Sequence, residues 1–172
     1  MSEQKLQIAS QKLNLLERRE IEASIVGPLV RAMEERFGEG PAREVLAEVI
    51  QSLARESGAE LAKTLGDRSL RAFSTNLGSW KSGGALNLEM IEESDERLSF
   101  NVTRCQYAEM YRRLGLNDLG ATLSCVRDFE LATGFNPLIR LKRTQTLMEG
   151  ASHCDFRFEM ISEPERTDAS EA

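Results

Sequence analysis

Three cysteines and the acids near them are the side chains of this sequence that could perform chemistry. Cys105 is predicted to begin a helix, where the positive end of the helix dipole favours the thiolate. Cys125 and Asp128 are three residues apart on another predicted helix, so they share a face and the acid could act as an acid or base. The alternatives are ordinary buried cysteines, and an aspartate that is exposed or paired with Arg127 or Arg143.

The third cysteine, Cys154, precedes Asp155 in a predicted strand, so these two side chains face opposite sides of the sheet. Cys154 shares its side with Phe156 and Phe158, which indicates a core-facing side. The two groups cannot enter one pocket unless the strand bends. This pattern argues against a simple dyad of Cys154 and Asp155.

The three thiols could also hold a zinc ion, with Asp128 as a fourth ligand. The spacing is poor for zinc, because the sequence has no CxxC pair and the cysteines are 20 and 29 residues apart. His153 is the only histidine, which excludes a site built from several histidines. The sequence also has no Gly-rich phosphate loop, GxSxG elbow or HExxH pair. We therefore expect no cofactor, and zinc is the alternative.

The composition is that of an acidic chain of 172 residues, 41% of them hydrophobic, which is enough for one domain with a hydrophobic core. The net charge is −6 and no run of Lys or Arg occurs, so nucleic acid is not expected as a partner. No apolar stretch reaches the length of a membrane span, and the first residues lack the apolar segment of a secretory signal. Together with the odd number of cysteines, these features predict a cytoplasmic protein without membrane contact or a disulfide framework.

The first 82 residues are predicted to form a helical N-terminal extension. From Leu6 to about Phe37 apolar residues recur three and four apart, as in an amphipathic helix, and Gly27-Pro28 should kink or break it. Pro41 suits the first turn of a second helix. Gly58 argues against an unbroken second helix.

Residues 83–162 are predicted to form an α+β core, after an ambiguous stretch at 67–82 that could be a third helix. After the N-terminal helices the apolar residues alternate with polar ones, then return to helical spacing, and then alternate again. These changes predict the order ββααββ. That order favours an antiparallel sheet covered by helices. With a polar, frayed tail at 163–172, the chain is expected to be a single domain, 1–172. The expected strands are 86–93, 96–103, 138–147 and 152–161, and the expected helices are 105–114 and 117–132, the second ended by Gly134.

A long ordered set of unusual residues runs through the second half of the chain. It consists of Cys-x-Tyr before Leu-Gly, Cys-x-x-Asp, Gly-Phe-Asn-Pro, Arg-Thr-x-Thr-Leu-Met-x-Gly and Cys-Asp-Phe. In this sequence the set is Cys105 and Tyr107, Leu114 and Gly115, Cys125 and Asp128, Gly134 to Pro137, Arg143 to Gly150, and Cys154 to Phe156. Over residues 100–158 it closely resembles the L-2-amino-thiazoline-4-carboxylic acid hydrolase family, with a weaker resemblance from Arg19.

This resemblance implies an enzyme that opens a cyclic isothiourea. Water adds at C2 of 2-amino-thiazoline-4-carboxylate, and the C–S bond breaks to give N-carbamoyl-cysteine. A thiolate could attack C2, with Cys105 favoured, or a carboxylate could deprotonate water, and Arg143 could hold the substrate carboxylate. The candidates for catalysis are Cys105, Cys125, Asp128 and Cys154, and those for substrate binding are Arg143, Tyr107 and Asp155.

A non-catalytic module that senses a small molecule or a metal is the competing interpretation. The same region distantly resembles small-molecule-binding domains of the 4-vinyl reductase type, through a Gly-x-x-x-Cys-like strand end. Either interpretation makes a small molecule the expected partner. A homo-oligomer is compatible with the sequence, which does not determine the oligomeric state.

Overall fold

The computed structural model describes residues 13–162, in which seven α-helices and four strands follow one another in the predicted order. Residues 1–12 and 163–172, which include the predicted tail, lie outside the described residues. The N-terminal part consists of α1 (Leu15–Phe37), α2 (Glu39–Leu65), α3 (Leu70–Ser74), α4 (Leu77–Lys81) and a 3-10 turn (Ser82–Gly84). The rest consists of β1 (Leu86–Glu93), β2 (Arg97–Cys105), α5 (Gln106–Arg113), α6 (Asn117–Gly120), a π-helical segment (Ala121–Cys125), α7 (Val126–Phe135), β3 (Ile139–Lys142), a 3-10 turn (Leu147–Glu149) and β4 (Cys154–Met160).

The four strands form one antiparallel sheet in the order β1-β2-β4-β3, which confirms the predicted α+β class. In the central pair Phe100 lies opposite Phe156, and their rings stack with centroids 4.9 Å apart. Phe158 faces the same side, because side chains alternate along a strand. Phe73 of α3 contacts both Phe158 and Phe135 of α7, so the helices cover this side of the sheet. The expected core face is therefore present.

A second group of buried side chains packs α1 and α2 against the helices that follow β2. The buried members of this second group are Ala23, Val30, Leu46, Ile50, Met110, Tyr111, Leu116, Leu119 and Leu123.

Within residues 13–162, no helix combines the length and the apolar composition that a membrane span requires.

Helix α1 continues through Gly27-Pro28, so of the predicted kink or break the break does not occur. Asn14 and Glu17 fix its start by exchanging hydrogen bonds of 2.8 and 2.9 Å in a capping box. Gly27 packs closely on Leu116, since a Cβ there would lie 2.8 Å from the Leu116 Cδ1 atom, and Pro28 lies on the exposed side. Packing of the buried face therefore outweighs the one backbone hydrogen bond that Pro28 cannot donate.

Helices α2 and α7 cross closely at two glycines, and neither glycine interrupts its helix. A Cβ at Gly58 of α2 would overlap the carbonyl oxygen of Leu131, and one at Gly134 of α7 would overlap that of Arg55. α2 is therefore unbroken at Gly58, and α7 continues past Gly134 to Phe135 instead of ending there. These glycines set the distance between α2 and the helix that carries Asp128.

The second hairpin has shorter strands than predicted, because the chain leaves the sheet after Lys142. The backbone N–H groups of Thr144 and Gln145 each donate a 2.9 Å hydrogen bond to Oδ1 of Asp155. These bonds replace the ones that a neighbouring strand would accept. The predicted strand 138–147 is therefore limited to β3, and 152–161 to β4. Two further differences concern helices: 67–82 holds two short ones, α3 and α4, and the predicted 117–132 is α6, the π-helical segment and α7.

Candidate active site

A cavity of about 550 Å³ lies between the sheet and the helices α1, α2 and α7. Aromatic and aliphatic side chains, among them Trp80, Met148 and Phe156, form much of its wall. Six of the seven residues selected from the sequence line it, although they come from three helical segments, two strands and a loop. They are Cys105, Tyr107, Cys125, Asp128, Arg143 and Cys154.

Arg143 is held on several sides by contacts within the protein. Its Nη1 donates a 2.6 Å hydrogen bond to Oδ2 of Asp128, and its Nη2 donates one of 3.0 Å to the carbonyl oxygen of Cys125. Its guanidinium lies 4.9 Å from the ring centroids of both Phe129 and Phe156. The charge of Arg143 is therefore already balanced by Asp128, which leaves it poorly suited to the predicted role of holding the substrate carboxylate.

Asp128 is the acid of the cavity wall, and its environment makes it a weaker acid than an exposed aspartate. Burial raises the pKa of the Asp128 carboxyl to about 6, and the attraction of Arg143 keeps it from rising further. Among residues 13–162 only Arg143 donates a side-chain hydrogen bond to this carboxylate, through Oδ2. The second oxygen, Oδ1, can therefore accept a proton from a molecule in the cavity.

Cys105 begins a helix as predicted, but it is not activated there. It is the N-cap of α5, and its Sγ accepts a 3.4 Å hydrogen bond from the backbone N–H of Ala108. Burial nevertheless raises the pKa of the Cys105 thiol to about 11, since the loss of hydration outweighs the N–H groups of Ala108 and Tyr107. The expectation that the helix start makes Cys105 a thiolate is therefore wrong.

The other two thiols are protonated for the same reason. Burial raises the pKa of Cys125, and the negative charge of Asp128 adds to the effect. Burial also raises the pKa of Cys154, against a 3.2 Å hydrogen bond from the backbone N–H of Leu147. Within the described part of the chain, no group of three His, Cys, Asp or Glu side chains has the geometry to hold a metal ion.

Tyr107 and Asp155 both make contacts within the protein, and of the two only Tyr107 lines the cavity. The Tyr107 hydroxyl donates a 3.2 Å hydrogen bond to the carbonyl oxygen of Trp80, and burial raises its pKa. Asp155 lies outside the cavity wall, where the hydroxyl of Thr144 donates a 2.7 Å hydrogen bond to its Oδ2. With the two backbone bonds to Oδ1, it fixes the loop that follows Arg143. Asp155 is therefore a residue that positions the loop, and Tyr107 closes the wall.

Three further arginines line the cavity and were not selected from the sequence: Arg18, Arg19 and Arg127. Glu22 contacts two of them, with Arg19 Nη1 at 2.6 Å and Arg127 Nη2 at 3.6 Å from its Oε2. Burial lowers the pKa of Arg127, and the charge of Arg19 lowers it further. Of the residues that line the cavity in the described chain, four are arginines and only Asp128 is acidic. The site therefore has an excess of positive charge.

Sequence patterns carried weak signals for these arginines. Arg127 stands directly before Asp128 but was considered only as its partner, and Arg19 marks the point where the weaker resemblance begins. Nothing in the spacing shows that the start of α1 meets the end of the π-helical segment, because that contact depends on the tertiary packing of the helices.

Comparisons with known proteins agree with this arrangement at the level of family and fold. A family model described as L-2-amino-thiazoline-4-carboxylic acid hydrolase matches residues 18–158. No curated protein matches the chain significantly. Among solved structures, trafficking protein particle complex subunit 3 from Naegleria fowleri, covalently bound to palmitic acid, has a TM-score of 0.50 at 11% identity over 84% of this chain and 96% of that one. The phenol-responsive sensory domain of the transcription activator PoxR, with phenol, has a TM-score of 0.42 at 15% identity over 80% of this chain and 74% of that one.

Proposed function

The chain belongs to the L-2-amino-thiazoline-4-carboxylic acid hydrolase family, and from that premise we propose that it opens a small cyclic isothiourea by cleaving its C–S bond. The proposed substrate is 2-amino-thiazoline-4-carboxylate or a related heterocycle, and the product is N-carbamoyl-cysteine or its analogue. The observation that carries the proposal is Asp128, a carboxyl with a pKa of about 6 in the wall of the cavity. A general base works best when its pKa lies near the operating pH.

In this proposal Asp128 deprotonates the attacking water. At pH 7 a carboxyl with a pKa of about 6 is ionised in roughly ten of eleven molecules. The water oxygen bonds to C2 of the cationic ring as its proton passes to Oδ1 of Asp128. The cationic ring also matches the negative charge of Asp128, while Arg143 keeps the carboxylate ionised near neutral pH.

The same carboxyl then supplies the proton that the leaving sulfur requires. When the C2–S bond breaks, its electron pair goes to the sulfur, and the new C2 hydroxyl becomes the urea carbonyl as its proton leaves to solvent. Transfer from Asp128, with a pKa of about 6, to a thiolate whose thiol has a pKa of about 8.5 is favourable. One residue therefore serves as base and then as acid.

The thiols are less suited to direct attack on C2. A thiol with a pKa of about 11, as at Cys105, is ionised in only about one molecule in ten thousand at pH 7. Asp128 would have to remove that proton against a difference of about five pKa units. We therefore assign water as the nucleophile. The three cysteines then form a neutral, polarisable wall for the sulfur-containing ring.

Arg127 is the better candidate to hold the substrate carboxylate. Its only side-chain ion pair in the described chain is the 3.6 Å contact with Glu22, and its Nε donates a 2.8 Å hydrogen bond to the carbonyl oxygen of Leu123. Because burial and the charge of Arg19 both lower the pKa of Arg127, an added anion would relieve two unfavourable interactions. Arg143 would gain less from an added anion, since its charge is already paired with that of Asp128.

A direct assay tests the proposal. Purified protein is incubated with 2-amino-thiazoline-4-carboxylate, and ring opening is followed by the new thiol and by mass spectrometry of the product. We expect turnover that survives treatment with a chelator and is lost in Asp128→Asn. A folded protein that opens no cyclic isothiourea would contradict the proposal, and so would turnover that requires stoichiometric zinc.

A ligand-binding module without turnover is the second candidate. The cavity of about 550 Å³ has a largely apolar wall, and the fold is shared with a trafficking complex subunit that was solved bound to palmitic acid. Denaturing the purified protein and analysing the released small molecules distinguishes the candidates. A stoichiometric apolar ligand together with an absence of turnover would favour the module.

A further inference from the structure

The outer surface of α1 and α2 carries a row of exposed apolar side chains on each helix, which we call the hairpin face. Each row recurs every fourth residue, so its members lie on one side of their helix. They are between 47% and 67% exposed, in a protein whose other apolar residues largely fill two cores. The hairpin face consists of Ile21, Ile25 and Leu29 on α1, and Val45, Val49 and Leu53 on α2.

The two rows lie side by side, and their heights match to within two residues. Only Gly38 separates α1 from α2, so the two helices form a hairpin. Along the chain from Gly38, Leu29 is two residues farther than Val45, and the same offset holds for Ile25 and Val49 and for Ile21 and Leu53. Two residues of helix rise only about 3 Å, less than one turn. A groove of about 600 Å³ runs between the helices and touches residues of both rows. Apolar side chains of both helices therefore border the same groove.

Its dimensions are those of a protein interface. Neighbouring helices are each about 10–12 Å wide, and the stretch from Arg18 to Arg36 rises about 27 Å along α1. The footprint is therefore on the order of the 800 Å² that each partner contributes to a standard interface. Exposed apolar patches larger than a few hundred Å² mark interaction sites in soluble proteins.

We propose that the hairpin face binds a second copy of this chain in a two-fold symmetric dimer. A two-fold axis parallel to the helices places α1 of one protomer along α2 of the other at the same height. Because the rows match in height to within about 3 Å, Ile25 then lies against Val49 of the second copy, and the pairs on either side of it meet in the same way. The face is thus complementary to itself, as a symmetric dimer requires.

The charges at the end of the face fit the same arrangement. Arg18 and Glu56 lie at the end of the groove away from the turn, within two residues of the same height, and both are exposed. Among residues 13–162 neither of them forms an ion pair within the chain. In the dimer Arg18 of each protomer lies against Glu56 of the other, so two ion pairs close this end of the interface.

Sedimentation equilibrium of the full chain tests the proposal, at protein concentrations from roughly 0.1 to 100 µM. We expect wild type to be a dimer and Ile25→Glu to be a monomer, since a buried unpaired charge would face the partner. The matched control is Ile91→Glu, because Ile91 is also an exposed apolar residue, at 57%, but lies on β1. Circular dichroism checks that each variant is folded. Both variants are expected to fold, because the Ile25 and Ile91 side chains are exposed in the single chain.

Charge reversal tests the orientation of the two copies. Arg18→Glu and Glu56→Arg are each expected to weaken the dimer about tenfold at low salt, and the double variant to restore most of the affinity. Four results would overturn the proposal: a monomeric wild type, a dimeric Ile25→Glu, dissociation by Ile91→Glu, or a double variant that is weaker than both single variants. A monomeric wild type would assign the face to another partner. The readout is mass, so it does not depend on whether the protein opens a thiazoline ring.

Discussion

Arg143 and Asp128 form an ion pair that is closed to solvent at one end only. The Nη1–Oδ2 distance is 2.6 Å, and the side chains are 5% and 21% exposed, respectively. The guanidinium is therefore fixed between aromatic rings and a carbonyl oxygen, while the carboxylate keeps part of its surface in the cavity. This asymmetry supports the proposed role of Asp128 as the base, with Arg143 in a supporting role.

Replacement of Arg143 by glutamine is expected to move the pH dependence of the reaction upward. Burial raises the pKa of Asp128, and the charge and hydrogen bond of Arg143 oppose that rise, so their loss raises the pKa above about 6. Since the base must be ionised, the pH at which kcat/KM is half maximal should increase by about one unit or more. The measurement is kcat/KM between pH 4 and 9 for wild type and Arg143→Gln.

The control for this prediction is Arg104→Gln. Arg104 forms an exposed ion pair with Glu109, at a distance of 3.0 Å, and an exposed pair contributes little. Its removal should leave the pH profile unchanged. An Arg143→Gln profile that overlays that of Arg104→Gln would show that Arg143 does not tune the base.

Arg127→Gln is expected to raise KM for a carboxylate substrate by about 10- to 100-fold with little change in kcat. A charge-assisted hydrogen bond contributes roughly 1.5–3 kcal/mol, and this one would be formed equally in the ground state and the transition state. Steady-state kinetics measure the effect. Arg113→Gln removes an arginine that is exposed and paired with Glu20, and should not change KM.

A second comparison locates the anion site. Substrate analogues without the carboxylate should bind wild type and Arg127→Gln equally well. If Arg127→Gln weakened both kinds of ligand to the same extent, its role would be structural, through the hydrogen bond to Leu123.

Cys105→Ser is expected to keep kcat/KM within about tenfold of wild type, because a thiol with a pKa of about 11 is protonated at neutral pH and the proposal assigns water as the nucleophile. Cys125→Ser and Cys154→Ser should behave similarly. Iodoacetamide at pH 7 should label all three more slowly than a free cysteine, as mass spectrometry of peptides would show. Loss of turnover in one serine variant, together with a covalent substrate adduct on that thiol in wild type, would instead establish a thiolate mechanism.

Gly134→Ala is expected to reduce the free energy of unfolding by at least about 2 kcal/mol, since the new methyl group would overlap the carbonyl oxygen of Arg55. Gly78→Ala is the matched control, because Gly78 also lies in a helix and its Cβ would meet nothing within 4 Å. That substitution should be neutral or stabilising by up to about 1 kcal/mol. Urea denaturation measures both, and equal stabilities would contradict the close crossing of α2 and α7.

The pattern of the sequence was sufficient to predict most of the fold. Alternation around Phe100 and Phe156 identified both central strands, and helical spacing identified α1, α2 and α7. Local rules about glycine and proline failed at Gly27-Pro28, Gly58 and Gly134, because these residues serve contacts between helices. A breaker residue within one segment gives no information about the segment that packs on it.

The sequence was sufficient to predict six of the residues that line the candidate site, but not how far burial changes their protonation. The family resemblance selected Cys105, Asp128 and Cys154, which line one cavity. Their protonation states depend on burial, and the helix dipole that favours a thiolate at Cys105 is the smaller effect. Asp155 was selected with them, although alternation along the strand already placed it on the opposite side of the sheet from Cys154.

The pH dependence of kcat/KM in wild type and Asp128→Asn tests the central claim most directly, with 2-amino-thiazoline-4-carboxylate as substrate. Wild type should have half of its maximal kcat/KM at about pH 6, lose activity about tenfold per pH unit well below that and level off near pH 7, because the ionised carboxylate is the base. Asp128→Asn should be about 100- to 10,000-fold slower at pH 7 and should lack the decrease below pH 6. An Asp128→Asn variant that retained both the rate and the acidic limb of wild type would contradict the assignment of Asp128 as the base.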